Sequence, residues 1–170
     1  LHWTHLELQR YFDIDLVINE KNASTIWEEC NKKLATPAYN ARNLLRRMNV
    51  ESLCTTDDPL SDLEHHKALA EDGSDIKVLP TFRADDLFYI ENNNKFLSWI
   101  KRLGEKNKSE IQSIYELFEA VEQRFDYFHS NGCRLSDIGI KIVPYVKSLV
   151  EQANAVFRKV LAGESINQNE

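Results

Sequence analysis

CTTDDPLSDLEHHKALAEDGSDIKVLPTFRAD, residues 54–85, passes through two strand-like runs with a helical pattern between them. Its first residues complete a short run, Val50 to Thr56, that holds Val, Leu and two Thr and closes at Asp57-Asp58-Pro59. That is the pattern of a buried strand followed by a turn. Asp58 then reads as a helix cap with Pro59 at the first helical position, and Leu60, Leu63 and Ala70 share a face. Gly73-Ser74 closes the helix. Ile76 to Phe82 reads as a second strand, with Pro80 marking its approaching end.

The flanks extend this alternation. Downstream, Phe96, Trp99, Ile100 and Leu103 form a helical stripe that Gly104 closes. Ile111, Ile114, Phe118, Val121, Phe125 and Phe128 step by three and four, which predicts a helix with one buried face, stopped by Gly132. Cys133 to Ile138 is a third strand candidate. A last helix carries Val146, Leu149, Val150, Ala153, Val156, Phe157 and Val160. Three short strands alternating with helices argue a helix-rich, parallel α/β arrangement.

Upstream the pattern is helical only. Trp3, Leu6, Leu8, Tyr11 and Phe12 suggest a short amphipathic helix. Thr25 and Glu28 offer a capping box, followed by a stripe of Ile26, Trp27, Cys30 and Leu34. Pro37 starts a helix striped by Ala38, Ala41, Leu44, Leu45 and Met48. Residues 1–49 therefore read as a helical lobe, and 50–170 as strand–helix units.

Composition excludes several functions. With 42% hydrophobic and 28% charged residues in 170, a folded core is expected rather than a disordered chain. The net charge is −6 and no basic stripe is present, so nucleic acid is not an expected partner. No run of ~18 apolar residues predicts a membrane span. Cys30, Cys54 and Cys133 form neither a disulfide framework nor a CxxC knuckle, and free thiols in a reducing cytoplasm are expected. The chain opens at Leu1 without an initiator Met, and an internal piece of a longer protein is expected.

In parallel α/β folds, function gathers where strands end. That rule selects Thr55-Thr56-Asp57-Asp58, then Thr81-Phe82-Arg83, then Arg134, Ser136 and Asp137. Arg83 offers a fork that binds a carboxylate through two hydrogen bonds, or else pairs with Asp85 or Asp86. Asp57 and Asp58 are candidates for a general base or a metal ligand, or else Asp58 caps its helix and Asp57 ties down the turn. His65-His66 are neighbours on a helix and do not face one another. His2 and His5 lie at i, i+3 without a third ligand in view.

Several segments together resemble uronate isomerase, also called glucuronate isomerase, of the amidohydrolase superfamily. They are HWTHLELQRYF (2–12), IWEECNKKL (26–34), CTTDDPLSDLEHH (54–66), KVLPTFRAD (77–85) and GCRLSD (132–137). The resemblance implies part of a distorted (β/α)8 barrel with an added helical lobe. About 200 residues or more are typical of a closed barrel, so 170 residues hold only a portion. It implies an isomerase that interconverts glucuronate with fructuronate and galacturonate with tagaturonate, with a hexuronate as small-molecule partner and a homo-oligomer as the expected state of the intact enzyme.

It also implies that an arginine holds the substrate carboxylate. Arg83 matches the arginine of the family's FRPD segment, with the substrate carboxylate or a nearby hydroxyl as its implied ligand; Asp57 and Asp58 match the family's TTDDP, with Asp57 the catalytic candidate; and Trp3 and His5 match its WTH, as substrate-binding candidates. A divalent metal, zinc, is implied for the intact enzyme. Its HxH pair does not occur in this chain, so no metal is expected here, nor activity from the isolated piece. Two departures stand out: Ala84 replaces the proline of the family's FRPD, and Ile138 replaces the histidine of its SDH.

Overall fold

The computed structural model describes residues 2–90, 92–139 and 147–167. The chain divides into two compact units, one of 1–53 with 74–77 and one of 54–73 with 78–170.

The first unit is built from α1 (His2–Phe12), α2 (Ala23–Leu34), a single 3-10 turn (Pro37–Tyr39) and α3 (Ala41–Arg47). Its small core is Leu8, Ile14 and Ile26, backed by Phe12, Ile18 and Cys30. α2 starts a turn earlier than Thr25. The Asn19 carboxamide oxygen accepts the Lys21 and Asn22 amides, at 2.9 and 3.1 Å, and this turn launches the helix at Ala23. Thr25 is therefore inside the helix and caps nothing. Of its stripe only Ile26 is buried, and Trp27 is 72% exposed. The helix expected from Pro37 is interrupted at Asn40, whose side chain accepts the Asn43 amide at 2.9 Å and begins α3 afresh. Arg46 ties the unit to its distant segment by clasping the Asp75 carboxylate at 2.9 Å through both Nε and Nη2.

β1 (Ser52–Cys54) pairs with β2 (Lys77–Leu79). At its two ends Lys77 N–H donates to Glu51 O in the first unit, and Thr55 N–H donates to Leu79 O in the second. In the second unit the pairing runs on past Pro80. Asp57 donates to Thr81 O, Arg83 donates to Asp57 O, and Asp57 bridges Phe82 in parallel. β3 (Phe82–Arg83) then pairs in parallel with β4 (Ser136–Asp137), Phe82 opposite Ser136 and Arg83 opposite Asp137. The expected single strand 76–82 is thus two short ones. Pro80 lacks an amide hydrogen and cannot donate to a ladder.

α4 (Glu64–Glu71) follows a turn rather than starting at Pro59. Asp58 accepts the Leu60 amide at 2.7 Å, and Leu63 takes a left-handed backbone, φ 53°, just before the helix. The main core lies among α5 (Asn93–Asn107), α6 (Ile114–Ser130) and α7 (Val150–Leu161), with Phe96, Trp99, Leu103, Ala120, Phe157 and Val160 at its centre. The α5 stripe is buried as its spacing predicts. The α6 face is rotated from expectation: Leu117, Ala120, Arg124 and Phe128 are buried, while Phe118 is 56% and Phe125 43% exposed. In α7, Phe157 and Val160 are buried, Leu149 and Val150 are exposed, and Val146 lies outside the described residues.

Gly104 does not end α5; it lies within it and is buried. A Cβ there would stand 2.6 Å from Ser109 O, and Ser109 N–H already donates to Gly104 O at 3.0 Å. Alanine in a helix interior otherwise gains about 1 kcal/mol over glycine. Here backbone meets backbone, so Gly104→Ala is expected to cost about 2–3 kcal/mol net, toward the upper end for overpacking. Urea unfolding checks this through a lowered midpoint at constant m. A raised midpoint would show that the 108–110 turn yields freely.

Candidate functional site

The second unit brings three parallel stretches side by side, with residues 79–83 in the middle. Their carboxyl ends carry Asp57, Arg83 and Asp137 respectively. The register places Asp57 beside Phe82 and Arg83 beside Asp137. An open cleft of about 180 Å³ at this edge is lined by Thr56, Asp57, Asp58, Arg83, Asp85 and Asp86.

Arg83 is held from two sides. Its Nε donates to Asp85 Oδ2 at 2.9 Å, and its Nη1 stands 3.5 Å from Asp137 Oδ2. Asp85 is itself fixed, because its Oδ1 accepts the Gly139 amide at 2.8 Å. The Gly139 amide, and then the Arg83 guanidinium, hold the Asp85 carboxyl below the usual carboxylate range, against partial burial that pushes the other way. A depressed folded pKa adds stability at pH values above the unfolded value, about 3.9. That stability is lost as pH falls through the folded pKa. Asp85→Asn is therefore expected to lose stability at pH 7 and to match the native chain in strong acid. Thermal unfolding followed from neutral pH downward checks it, and a gap that persists below the carboxylate range would rule out the ionic origin.

Asp57 belongs to a second group. Thr55 and Asp57 lie two residues apart on an extended segment and so share a face. The Thr55 hydroxyl donates to Asp57 Oδ2 at 2.6 Å, and His66 Nε2 lies 2.7 Å from the same hydroxyl. A hydroxyl has one hydrogen; given to the carboxylate, it leaves the Thr55 oxygen to accept from His66 Nε2–H. His66 Nε2 also stands 3.7 Å from Asp57 Oδ2, and both side chains are largely buried. His65, its neighbour, points to solvent. The strand-end rule selects Thr55 together with Asp57, while His66 is weighed from sequence only beside His65, which it does not face. The i, i+2 spacing of Thr55 and Asp57 was the available signal. Nothing local signals that His66 reaches back to the end of β1.

Asp58 serves structure, taking the Leu60 amide and, at 3.2 Å, the Trp99 indole N–H. Arg134 donates to the carbonyls of His129 and Cys133. Ser136 and Ile138 are exposed. Trp3 and His5 belong to the first unit, where Trp3 is 79% exposed and His5 Nε2 accepts the Ile18 amide at 2.8 Å. Among the described residues, no three His, Cys, Asp or Glu side chains gather in a metal-ligating group. No helix among them is long and apolar enough to cross a membrane.

A helix-rich α/β chain that presents a braced arginine and a hydrogen-bonded carboxylate at parallel strand ends is suited to binding a small anionic substrate. A family model described as glucuronate isomerase matches residues 1–170, and the chain belongs to that family. A uronate isomerase of Caldanaerobacter subterraneus subsp. tengcongensis is 45% identical over 170 residues, covering 99% of this chain and 36% of that protein. One of Clostridium acetobutylicum is 43% identical with the same coverage. The crystal structure of uronate isomerase from Thermotoga maritima superposes with a TM-score of 0.84 at 36% identity, over 99% of this chain and 37% of that one. The chain spans about a third of the length of the relatives it matches.

Proposed function

We propose that this chain supplies the carboxylate-binding edge of a uronate isomerase, within the part of a (β/α)8 barrel formed by residues 50–170, with 1–49 as an added helical lobe. The supporting observation is Arg83, braced at the end of the middle strand and open to a cleft that Asp57 also lines. A planar guanidinium binds a carboxylate through two parallel hydrogen bonds. The substrate is a hexuronate, glucuronate or galacturonate, converted to its keto form by moving a proton from C2 to C1 and the hydroxyl proton from O2 to O1, so that the carbonyl passes from C1 to C2. Asp57 is the residue proposed for that transfer, with Thr55 and His66 orienting its carboxylate. Trp3 and His5 are proposed as further substrate contacts in the complete enzyme.

The family resemblance implies a divalent metal, zinc. The described residues do not fit one, because no three His, Cys, Asp or Glu side chains gather among them, and its ligands are proposed to lie in the remainder of the enzyme. The complete enzyme is proposed to be a cytoplasmic protein.

Because Arg83 already faces two carboxylates, a purely structural role is the competing reading. The test is Arg83→Lys in a complete isomerase carrying this stretch. Lysine keeps the charge and loses the fork. A raised KM for glucuronate with little change in thermal stability supports carboxylate binding. Lost stability with unchanged KM assigns Arg83 to structure.

A further inference from the structure

We propose that Asp85 and Asp137 act on Arg83 in opposite senses: Asp85, anchored by the Gly139 amide, fixes the guanidinium, whereas Asp137 occupies the place of the incoming carboxylate and is displaced by it. This deepens, and rests on, the reading of Arg83 as the carboxylate-binding residue.

The two acids are held differently. Asp85 uses both oxygens, one on Arg83 Nε at 2.9 Å and one on the Gly139 amide at 2.8 Å, and its side chain is 26% exposed. Asp137 meets Arg83 only at 3.5 Å, and its side chain is 45% exposed. Close charge-assisted contacts run at 2.7–2.9 Å, so the Asp137 contact is loose and solvent-screened.

The geometry also separates the edges of the guanidinium. Nε is committed to Asp85. Nη1 and Nη2 remain, and two such N–H groups form the fork that a carboxylate accepts. Nη1 is the atom Asp137 approaches. Nη2 passes over Gly139, where a Cβ would lie 2.7 Å from it and 3.1 Å from Asp85 Oδ2. Any side chain at 139 would force the guanidinium to shift against Asp85. Gly139 therefore does two things: its amide anchors Asp85, and its missing side chain leaves room for Nη2.

Asp137 lies opposite Arg83 in the β3–β4 register, so its charge cannot drift far from the fork. It repels a bound carboxylate and competes for the same hydrogens. Removing that charge while keeping the shape should tighten binding. Removing the Asp85 charge frees the guanidinium to turn and should loosen it.

The experiment is glucuronate kinetics in a complete isomerase carrying this stretch, with Asp85→Asn, Asp137→Asn, Gly139→Ala and Arg83→Ala. Asp137→Asn is expected to lower KM by about threefold, the scale of an exposed ion pair, and the gain should shrink as salt screens the charge. Asp85→Asn and Gly139→Ala are expected to raise KM by about tenfold, the scale of one hydrogen bond to a charged group, with kcat much less affected. If Arg83→Ala leaves KM unchanged, the carboxylate reading itself fails and the paired roles fail with it. If Arg83→Ala raises KM but both acid variants shift it the same way, the carboxylate reading stands and the opposition is overturned. Should Asp85→Asn not fold, the sign of the exposed Asp137→Asn variant alone decides: a KM that rises or stays fixed overturns the proposal.

Discussion

In a complete isomerase carrying this stretch, Arg83→Ala raises the KM for glucuronate by about 10- to 100-fold, the span of one to two hydrogen bonds to a charged group. The effect falls on KM rather than kcat. The carboxylate is remote from the carbons that exchange the proton, and its charge does not change during the reaction. Binding that is equal in ground and transition states lowers KM without raising kcat. Added guanidinium ion should restore part of the affinity by refilling the space beside Asp85. A fall in kcat at constant KM, unrelieved by guanidinium, would place Arg83 in the chemical step and remove it from carboxylate binding.

Arg124→Ala is expected to destabilise the second unit by about 3–4 kcal/mol, the cost of two acceptors left unsatisfied at about 1–3 kcal/mol each. Arg124 is 6% exposed. Its Nε donates to Pro59 O at 2.7 Å, its Nη2 donates to Ser61 O at 2.8 Å, and its plane lies 4.2 Å from the Tyr127 ring centre. Burial pulls its pKa down from the ordinary arginine value, yet two carbonyls and a ring face still solvate the cation. Alanine removes that filling and leaves two carbonyls unpaired. Lysine, with one nitrogen, can serve one of them and should lose about half as much. Differential scanning calorimetry gives the measurement: a drop of about 6–16 °C for alanine, at about 2–4 °C per kcal/mol for a chain of this size. A drop under about 2 °C would mean that water replaces the guanidinium at no cost. Because the 59–63 turn leads into the helix bearing His66, the same change should also disturb the Asp57 group.

These residues show what a sequence can and cannot disclose. The α5 stripe was legible because Phe96, Trp99, Ile100 and Leu103 point one way and nothing competes with them. The α6 face was not, because Phe118 and Phe125 satisfy the same spacing as the buried set, and Arg124 looks like a surface residue until two distant carbonyls are known to receive it. Gly104 and Gly132 read alike as stops. Only Gly132, at φ 95°, follows a helix end; Gly104 marks a close approach.

At the site, the strand-end rule located Asp57, Arg83 and Asp137 one by one. Their adjacency depends on register, which short strands do not encode locally. The Arg83–Asp85 pair was visible at i, i+2, while the Asp137 contact, 54 residues on, was not.

The gain of a second neighbour past Pro80, with β4 joining a stretch already paired to Asp57, bears on how the chain assembles in time. Asp57 and Phe82 are 82 − 57 = 25 residues apart, and Phe82 and Ser136 are 136 − 82 = 54 apart. Each doubling of a loop adds only about 0.6 kcal/mol to its closure, but the longer loop also contains α5 and α6, which must fold to bring β4 home. Two consecutive amides then act as separate clocks: Arg83 N–H bonds to Asp57 O, and Phe82 N–H bonds to Leu135 O. Pulsed hydrogen exchange during refolding should protect Arg83 before Phe82, and simultaneous protection would mean that all three strands lock in a single step.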